Sequence, residues 1–302
     1  MPTTSTPSVP VVAVYKIKLK SFSDLVTIVP FGDLHFGALG FSAKHWKTFT
    51  KYYKNRKNCY FLGMGDYTEA FRSHDRKEIE RMAALEWALS SFSQEAENLY
   101  EVLEWMKGRT IGLIGGNHDF HVRVDQGGYA VTQEGTRWLS DKMETTYLGN
   151  PGFIFVDIEV QGSTKTVKIA AHHGVGAGQL EGSTFNSLEK FMRIVEADIY
   201  LMGHDHQIGW KPAKGVLKMR RPTKSRPLGF FDETRRFLGR TGSYLKAYET
   251  GVHNWIPERA GAPCALGNLE INIKVGREDR KEKDGTKIRQ LFAKIGGGTP
   301  PI

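Results

Sequence analysis

Cysteine is nearly missing: Cys59 and Cys264 are the only two in 302 residues. A pair so far apart makes no disulfide framework, which excludes the small stapled scaffolds of secreted domains and points to a reducing compartment. Long apolar runs are missing as well. No window approaches the roughly 18 consecutive apolar residues of a membrane-crossing helix, so no membrane partner is expected. The opening stretch MPTTSTPSVPVVAVYK has no positive start, and its apolar part, Val11 to Val14, is too short for a signal peptide. A cytoplasmic location is therefore expected. No solenoid-type repeat is present either. What remains is an ordinary globular composition, 40% apolar and 25% charged, with enough chain for one large core or a core with an extension.

Acidic residues are the minority, and the net charge is +9. The excess is concentrated. Between Lys214 and Arg240, nine lysines and arginines stand against Asp232 and Glu233 alone. Trp210, Phe230, Phe231, Phe237 and Tyr244 are interleaved with them. Such a segment can track a polyanion and stack bases, which makes nucleic acid a candidate partner. A solvated basic surface, with the aromatics packed onto the core, is the plainer reading. The oligomeric state is not written in the sequence.

Residues 1–10 are rich in Pro, Ser and Thr and read as a disordered lead-in. From Val14 to Lys20, Tyr15, Ile17 and Leu19 alternate with lysines, the period of a strand with one wet face. One pattern then recurs through residue 206: a short apolar run ends abruptly in glycine and polar residues. VTIVPFGDLH ends at Asp33 and His35. CYFLGMGD ends at Asp66, TIGLIGGNHD at Asn117 and His118, KTVKIAAHHG at His172 and His173, and ADIYLMGHDH at His204 and His206. Such runs suit buried strands whose carboxyl ends present a site. Helical stripes lie between them, from Lys77 to Lys107 with Gly108 as the stop, and from about Ser187 to Glu196. Phe153–Val160 and Lys165–Ala171 read as a hairpin turning at Gln161-Gly162-Ser163. After His206 the pattern weakens. Residues 211–245 show few apolar runs, 268–275 alternate as a strand, and GGGTPPI reads as a loose tail. The divisions expected are a core over 11–210 and a basic C-terminal segment over 211–302 that completes a sheet or caps the site.

Taken singly, each histidine or carboxylate is weak. Together they offer the oxygen and nitrogen donors that hard-to-borderline divalent metals take. A carboxylate has two oxygens and can be shared by two metals about 3.5–4 Å apart. Asp-x-His and His-x-His, if extended, place alternate side chains on one face, within reach of one site. Structural zinc fits worse, because the donors lack cysteine and are scattered along the chain.

This ordered set, over about residues 27–207, resembles the calcineurin-like metallophosphoesterase superfamily. The resemblance implies an α/β (α+β) fold, a four-layer αββα sandwich of two mixed β-sheets flanked by helices, with the metal site at the strand ends. It implies two divalent metal ions, Mn2+ first and Fe, Zn, Ni or Mg as alternatives. Asp33, His35 and His206 would hold one metal, and Asp66 would bridge. Asn117, His204 and one histidine of the His172–His173 pair would complete the second; HGVGAG favours His173, with His172 the second choice. His118 would protonate the leaving group or steady the phosphoryl oxygens. The implied activity is a phosphoesterase that hydrolyses phosphodiester or phosphomonoester bonds with a metal-bridging hydroxide, extending to DNA or RNA cleavage. The strings GRTGSYLKAYETG and ERAGAPCALGNLEI are similar to C-terminal parts of phosphoesterases carried by bacteriophages and prophages, which implies a bacterial or phage-infected cytoplasm. Where the protein phosphatase branch has Gly-Asp-x-x-Asp-Arg-Gly, this chain has GDYTEAF. Glu69 replaces the second carboxylate, as an orienter of His118, and Ala70 replaces the arginine, leaving Arg72 or Arg123 to grip phosphate. A phosphoprotein phosphatase is disfavoured. The alternative class is a nucleic-acid-binding or scaffolding protein whose metal site is catalytically silent.

Overall fold

The computed structural model describes residues 11–69, 92–118, 121–126, 129–174, 181–222, 228, 230–248, 263–281 and 287–300. In chain order its elements are β1 (Val11–Leu19), β2 (Val26–Phe31), α1 (Ala43–Tyr53), β3 (Cys59–Gly63), α2 (Phe92–Leu103), β4 (Thr110–Ile114), β5 (His121–Gln126) and β6 (Tyr129–Glu134). There follow α3 (Gly135–Lys142), β7 (Tyr147–Gly149), β8 (Gly152–Val160), β9 (Ser163–His172), α4 (Glu181–Met192) and β10 (Ile199–Met202). Four long strands close the chain: β11 (Ile208–Arg220), β12 (Phe230–Thr241), β13 (Glu270–Lys281) and β14 (Lys287–Gly298).

They form two six-stranded sheets, ordered β1-β8-β9-β10-β12-β11 and β14-β13-β2-β3-β4-β7, and a β5-β6 ribbon. Both large sheets are mixed. β2, β3, β4 and β7 run parallel, while β13 pairs antiparallel with β2 and β14. In the other sheet β10 is parallel to β9 and β12, while β8–β9 and β11–β12 are antiparallel.

The apolar runs are continuous because both faces of these strands are covered. Ile28 of β2 points into the space between the sheets, where it meets Leu62, Ile154, Val156, Ile169, Leu201 and Ile271. Its neighbours Val29 and Phe31 point outward, against Trp46, Phe49 and Tyr53 of α1 and Leu99 and Leu103 of α2. On the other sheet Ile199 and Leu201 face inward. Tyr200 and Met202 face Leu188 and Phe191 of α4. The order is helix, sheet, sheet, helix. Each such fully buried side chain contributes about 1.5–3 kcal/mol relative to exposure. β1 keeps the wet face expected of it and lies at a sheet edge.

Several expectations are corrected. The helix expected from Ser187 to Glu196 runs instead from Glu181 to Met192. Its buried stripe includes Phe185, one turn earlier, and the chain leaves the helix through tight turns at Arg193 and Ile194. Within residues 211–245, where the sequence shows few apolar runs, β11 and β12 pair as long antiparallel strands with a bulge between Ala213 and Val216. The tail is not loose up to Gly298. Gly296, Gly297 and Gly298 pair with Asn272, Ile271 and Glu270. A Cβ on Gly297 would lie 2.7 Å from Trp210 Cγ and 2.8 Å from Phe237, so the glycine makes room for that aromatic stack. The described strands of the C-terminal segment thus belong to both sheets. The lead-in 1–10 and the helix expected over 77–91 lie outside the described residues; the remainder of that stripe is α2, a 3-10 turn over Glu104–Met106, and Gly108 at φ +75°. Among the described residues no helix is long and apolar enough to cross a membrane.

Candidate metal centre

The polar ends of β2, β3, β4, β9 and β10 come together at one end of the sandwich. Asp33, His35, Asp66, His173 and His206 are all buried there. The local backbone differs from the extended form expected for Asp-x-His and His-x-His. Asp33 (φ +46°), His35 (+47°), Asp66 (+49°), His204 (+72°) and His206 (+60°) all adopt the left-handed conformation. This conformation costs on the order of 1–3 kcal/mol per non-glycine residue and persists only where the surroundings over-determine it. Here they do. Asp33 N–H donates to Gly65 O at 3.0 Å, and Leu34 and His35 N–H both donate to Asp66 O, zipping the loops after β2 and β3 together. The carbonyl of Asp33 accepts from Ser243 Oγ at 2.8 Å and from Tyr244 N–H at 3.1 Å. Glycine at 116 is required: a Cβ there would lie 2.0 Å from Asp66 Oδ1.

Two ligand-type groups result. In the first, donor atoms of Asp33, His35 and His206 lie within 4.8 Å of one another. His35 Nε2 is 3.3 Å from His206 Nε2, which is 3.5 Å from Asp33 Oδ1. In the second, Asp66, His173 and His204 satisfy the same limit. His173 Nε2 lies 3.1 Å from Asp66 Oδ2 and 2.9 Å from Asn117 Oδ1. A third group, His35, Glu69 and His118, adjoins the first.

The outer hydrogen bonds aim the rings. His173 Nδ1 faces Met64 O at 2.7 Å and must donate to it, leaving Nε2 as the inward donor atom. His35 Nδ1 donates to Glu69 Oε2 at 2.6 Å, leaving its Nε2 inward too. Carboxylate or carbonyl partners behind ligand histidines are the usual support of a metal site. His172 is turned away: its Nδ1 accepts from Gly174 N–H at 2.8 Å and its ring packs on Phe191. Glu69 lies against both His35 and His118. Its short carboxylate contact is with His35. His118 Nδ1 donates to the Glu69 carbonyl at 3.1 Å and lies 3.7 Å from Oε1. His118 N–H donates to Asp66 Oδ1 at 2.9 Å, and its ring stands edge-on to His35.

The electrostatics suit cations. Burial pushes Asp33 up to about 6, and its Oδ1 receives no hydrogen bond among the described residues. Burial depresses His206 well below its ordinary value and His204 to about 4, so both are neutral donors at pH 7. Burial opposes the charging of His35 and His173 as well, but Glu69 and Asp66 respectively raise them to about 9. Burial disfavours the Asp66 anion, yet the hydrogen bond from His173 leads a set of neighbours that hold it below the usual carboxylate range. Protons on His35 and His173 thus stand where divalent cations would balance the same carboxylates. The residues present fit such a group in donor type, burial and charge.

Glu95 of α2 is buried nearby, with Oε1 unbonded among the described residues. Burial first, then the Glu69 charge, lifts its carboxyl from 4.5 to about 7. The native state therefore keeps a proton that the unfolded chain loses near 4.5, and stability falls as pH rises between those values. Glu95→Gln is expected to be more stable than the parent at pH 8, by up to about 3 kcal/mol, and equal to it below pH 4. Urea denaturation at both pH values checks this; an equal effect at both removes the ionisation argument.

Residues that sequence reasoning did not find include Ser243 and Tyr244, which clamp Asp33, and Asn150, whose Oδ1 accepts from His173 N–H at 3.0 Å. Their signals were absent, because each acts on a main-chain group. The aromatics beside the basic segment are largely structural: Phe237 and Tyr244 are buried, and half-exposed Trp210 stacks on Phe237 at 5.9 Å. Arg72 and Asp119 lie outside the described residues, as do the side chains of Phe230, Phe231 and Arg123 and most side chains of the basic segment.

No curated protein matches the chain. Among solved structures it is similar to zinc-complexed Vps29 from Entamoeba histolytica, at 13% identity over 89% of this chain and 99% of that one, with a TM-score of 0.36. Vps29 from Chaetomium thermophilum is 11% identical over 92% and 100%, with a TM-score of 0.37. A predicted phosphoesterase from Streptococcus pneumoniae is 13% identical over 90% and 99%, with a TM-score of 0.33. The family model for calcineurin-like phosphoesterases matches residues 26–208, which spans every strand end described above, from Asp33 to His206. The chain belongs to the calcineurin-like phosphoesterase family.

Proposed function

We propose that the protein is a metal-dependent phosphoester hydrolase with a two-metal site, acting on phosphodiesters before monoesters, with nucleic acid among its candidate substrates. The supporting observation is the pair of adjacent donor groups, Asp33–His35–His206 and Asp66–His173–His204, with Asn117 beside the second. In this reading Asp66 would be shared between the two metals, His173 rather than His172 would be the ligand, and Mn2+ is the first choice of metal. When bound, the two cations would supply Lewis acidity toward the phosphoryl oxygens and a water activated near neutral pH.

The chain's own residues do the rest. His118 is the group best placed to meet a leaving group, because it is a part-exposed histidine beside buried Asp66 and His35 and is not needed in either donor group. With Nδ1 committed to the Glu69 carbonyl, Nε2 is the atom that delivers a proton to the departing alkoxide. Glu69 fixes His35 through its carboxylate and His118 through its carbonyl, so it is a positioning residue for both. The buried Asp33 and Asp66 carboxylates hold negative charge in a dry site, where it binds cations strongly.

A substrate panel with Mn2+ tests this: bis-p-nitrophenyl phosphate, p-nitrophenyl phosphate, cyclic nucleotides, and single- and double-stranded DNA. Metal-dependent cleavage, with the diester faster than the monoester, is expected. DNA cleavage extends the reading to a nuclease, and monoester-only turnover removes that extension. No turnover of any member, with metal bound, overturns the enzyme in favour of a silent site.

A further inference from the structure

Between the two histidines of His204-Asp205-His206 sits a residue with a different task. The Asp205 side chain is buried and meets the equally buried guanidinium of Arg240, from β12. Arg240 Nε donates to Asp205 Oδ1 at 3.1 Å, and Nη2 contacts Oδ2. The carboxylate thus lies against the planar guanidinium fork, with Oδ1 hydrogen-bonded to Nε and Oδ2 in ion-pair contact with Nη2, a side-on pairing arginine provides and lysine does not. Arg240 stands opposite Met202 on the neighbouring strand, so the fork grips the loop from the sheet on which the loop begins. The same Oδ1 accepts from Gln207 N–H at 3.3 Å, and Gln207 O accepts from Gly242 N–H at 3.0 Å. The loop is thus tied to β12 and its exit between the histidines, at Asp205, and directly after them, at Gln207.

This arrangement answers two physical problems. His204 and His206 both hold left-handed backbones, which need an external constraint. In addition, a free carboxylate between two ligand imidazoles would itself be a competing metal donor. The guanidinium removes both of its oxygens from competition. The carboxylate in turn neutralises a buried cation that would otherwise act on nearby Asp33, whose field reaches Arg240.

We propose that the Asp205–Arg240 pair is a positioning device for the His204 and His206 ligands, setting the metal affinity of the site without touching metal or substrate. This rests on the two-metal reading above. The test is calorimetric titration of Mn2+ into the metal-free 302-residue chain, with thermal unfolding measured in parallel. Asp205→Asn and Arg240→Lys are each expected to weaken Mn2+ binding by about tenfold to a hundredfold, the range for groups that support metal ligands. The double variant Asp205→Asn/Arg240→Met removes both charges. It is expected to regain most of the thermal stability lost by Asp205→Asn, because no buried charge is left unpaired. It is not expected to regain Mn2+ affinity, since the loop remains untethered. A double variant that is stable and binds Mn2+ as tightly as the parent overturns the proposal and leaves the pair a merely structural bridge. Should the double variant not fold, Arg240→Lys decides alone: parental affinity in that folded variant overturns it equally. A parent chain that binds no Mn2+ contradicts the two-metal reading instead, and the two failures are distinguishable.

Discussion

Asp66→Asn is expected to lower phosphodiester turnover about a thousandfold at saturating Mn2+ while leaving the fold intact. The substitution is nearly isosteric, so packing against the close-lying Gly116 is kept. Its effect is chemical. Asp66 accepts from His118 N–H through Oδ1 and faces His173 Nε2 through Oδ2. An amide keeps one acceptor and turns an N–H pair toward the other donor. It also removes the charge proposed to be shared by two cations. If that charge contributes about 4 kcal/mol to the transition state, a modest reading of metal-ion catalysis, the loss is close to three powers of ten. Steady-state kcat on bis-p-nitrophenyl phosphate, with circular dichroism as the control for folding, reads it directly. A folded variant within fivefold of the parent would show that Asp66 does not share the metals.

His118→Ala is expected to behave differently, because the removed atoms are only the ring. Its main-chain N–H still holds Asp66 Oδ1, so the metal donors stay in place. Mn2+ affinity should be unchanged. Turnover should fall by about 100- to 10,000-fold on an alkyl phosphodiester, whose alkoxide must be protonated as it leaves. The loss should be far smaller on p-nitrophenyl esters, whose leaving group departs as a stable anion. The ratio between the two substrates is the informative quantity. An equal loss on both would assign His118 to steadying the phosphoryl oxygens, and full activity on the alkyl ester would remove it from the chemistry.

How much of this was legible beforehand follows from where burial writes a pattern. β2, β3, β4 and β10 are covered on both faces, so each appears in the sequence as an unbroken apolar run with an abrupt polar end. The site residues sit at those ends and could be read from order and chemistry. The left-handed backbone at Asp33, His35, Asp66, His204 and His206 left little trace, although Asp and His are among the residues that tolerate it. β11 and β12 leave no clear apolar period in the sequence, because many of their residues are charged and what defines the hairpin is its cross-strand pairing. The end of β14 is hidden by its run of three glycines, of which Gly297 admits Trp210. The motif points Glu69 toward His118; that its carboxylate lies closer to His35 is set by the fold alone. Arg240 lies 35 residues from Asp205, and only the parallel pairing of β10 with β12 brings them together.

The central claim is that these buried donors hold a pair of divalent cations. Counting them is the most direct measurement: the metal-free chain is equilibrated with Mn2+, freed of excess ion, and analysed by inductively coupled plasma mass spectrometry. The account predicts two ions per chain, both lost when Asp33 and Asp66 are replaced together by alanine in a variant that stays folded. A parent chain that retains no ion, or the same number as that double variant, would contradict it.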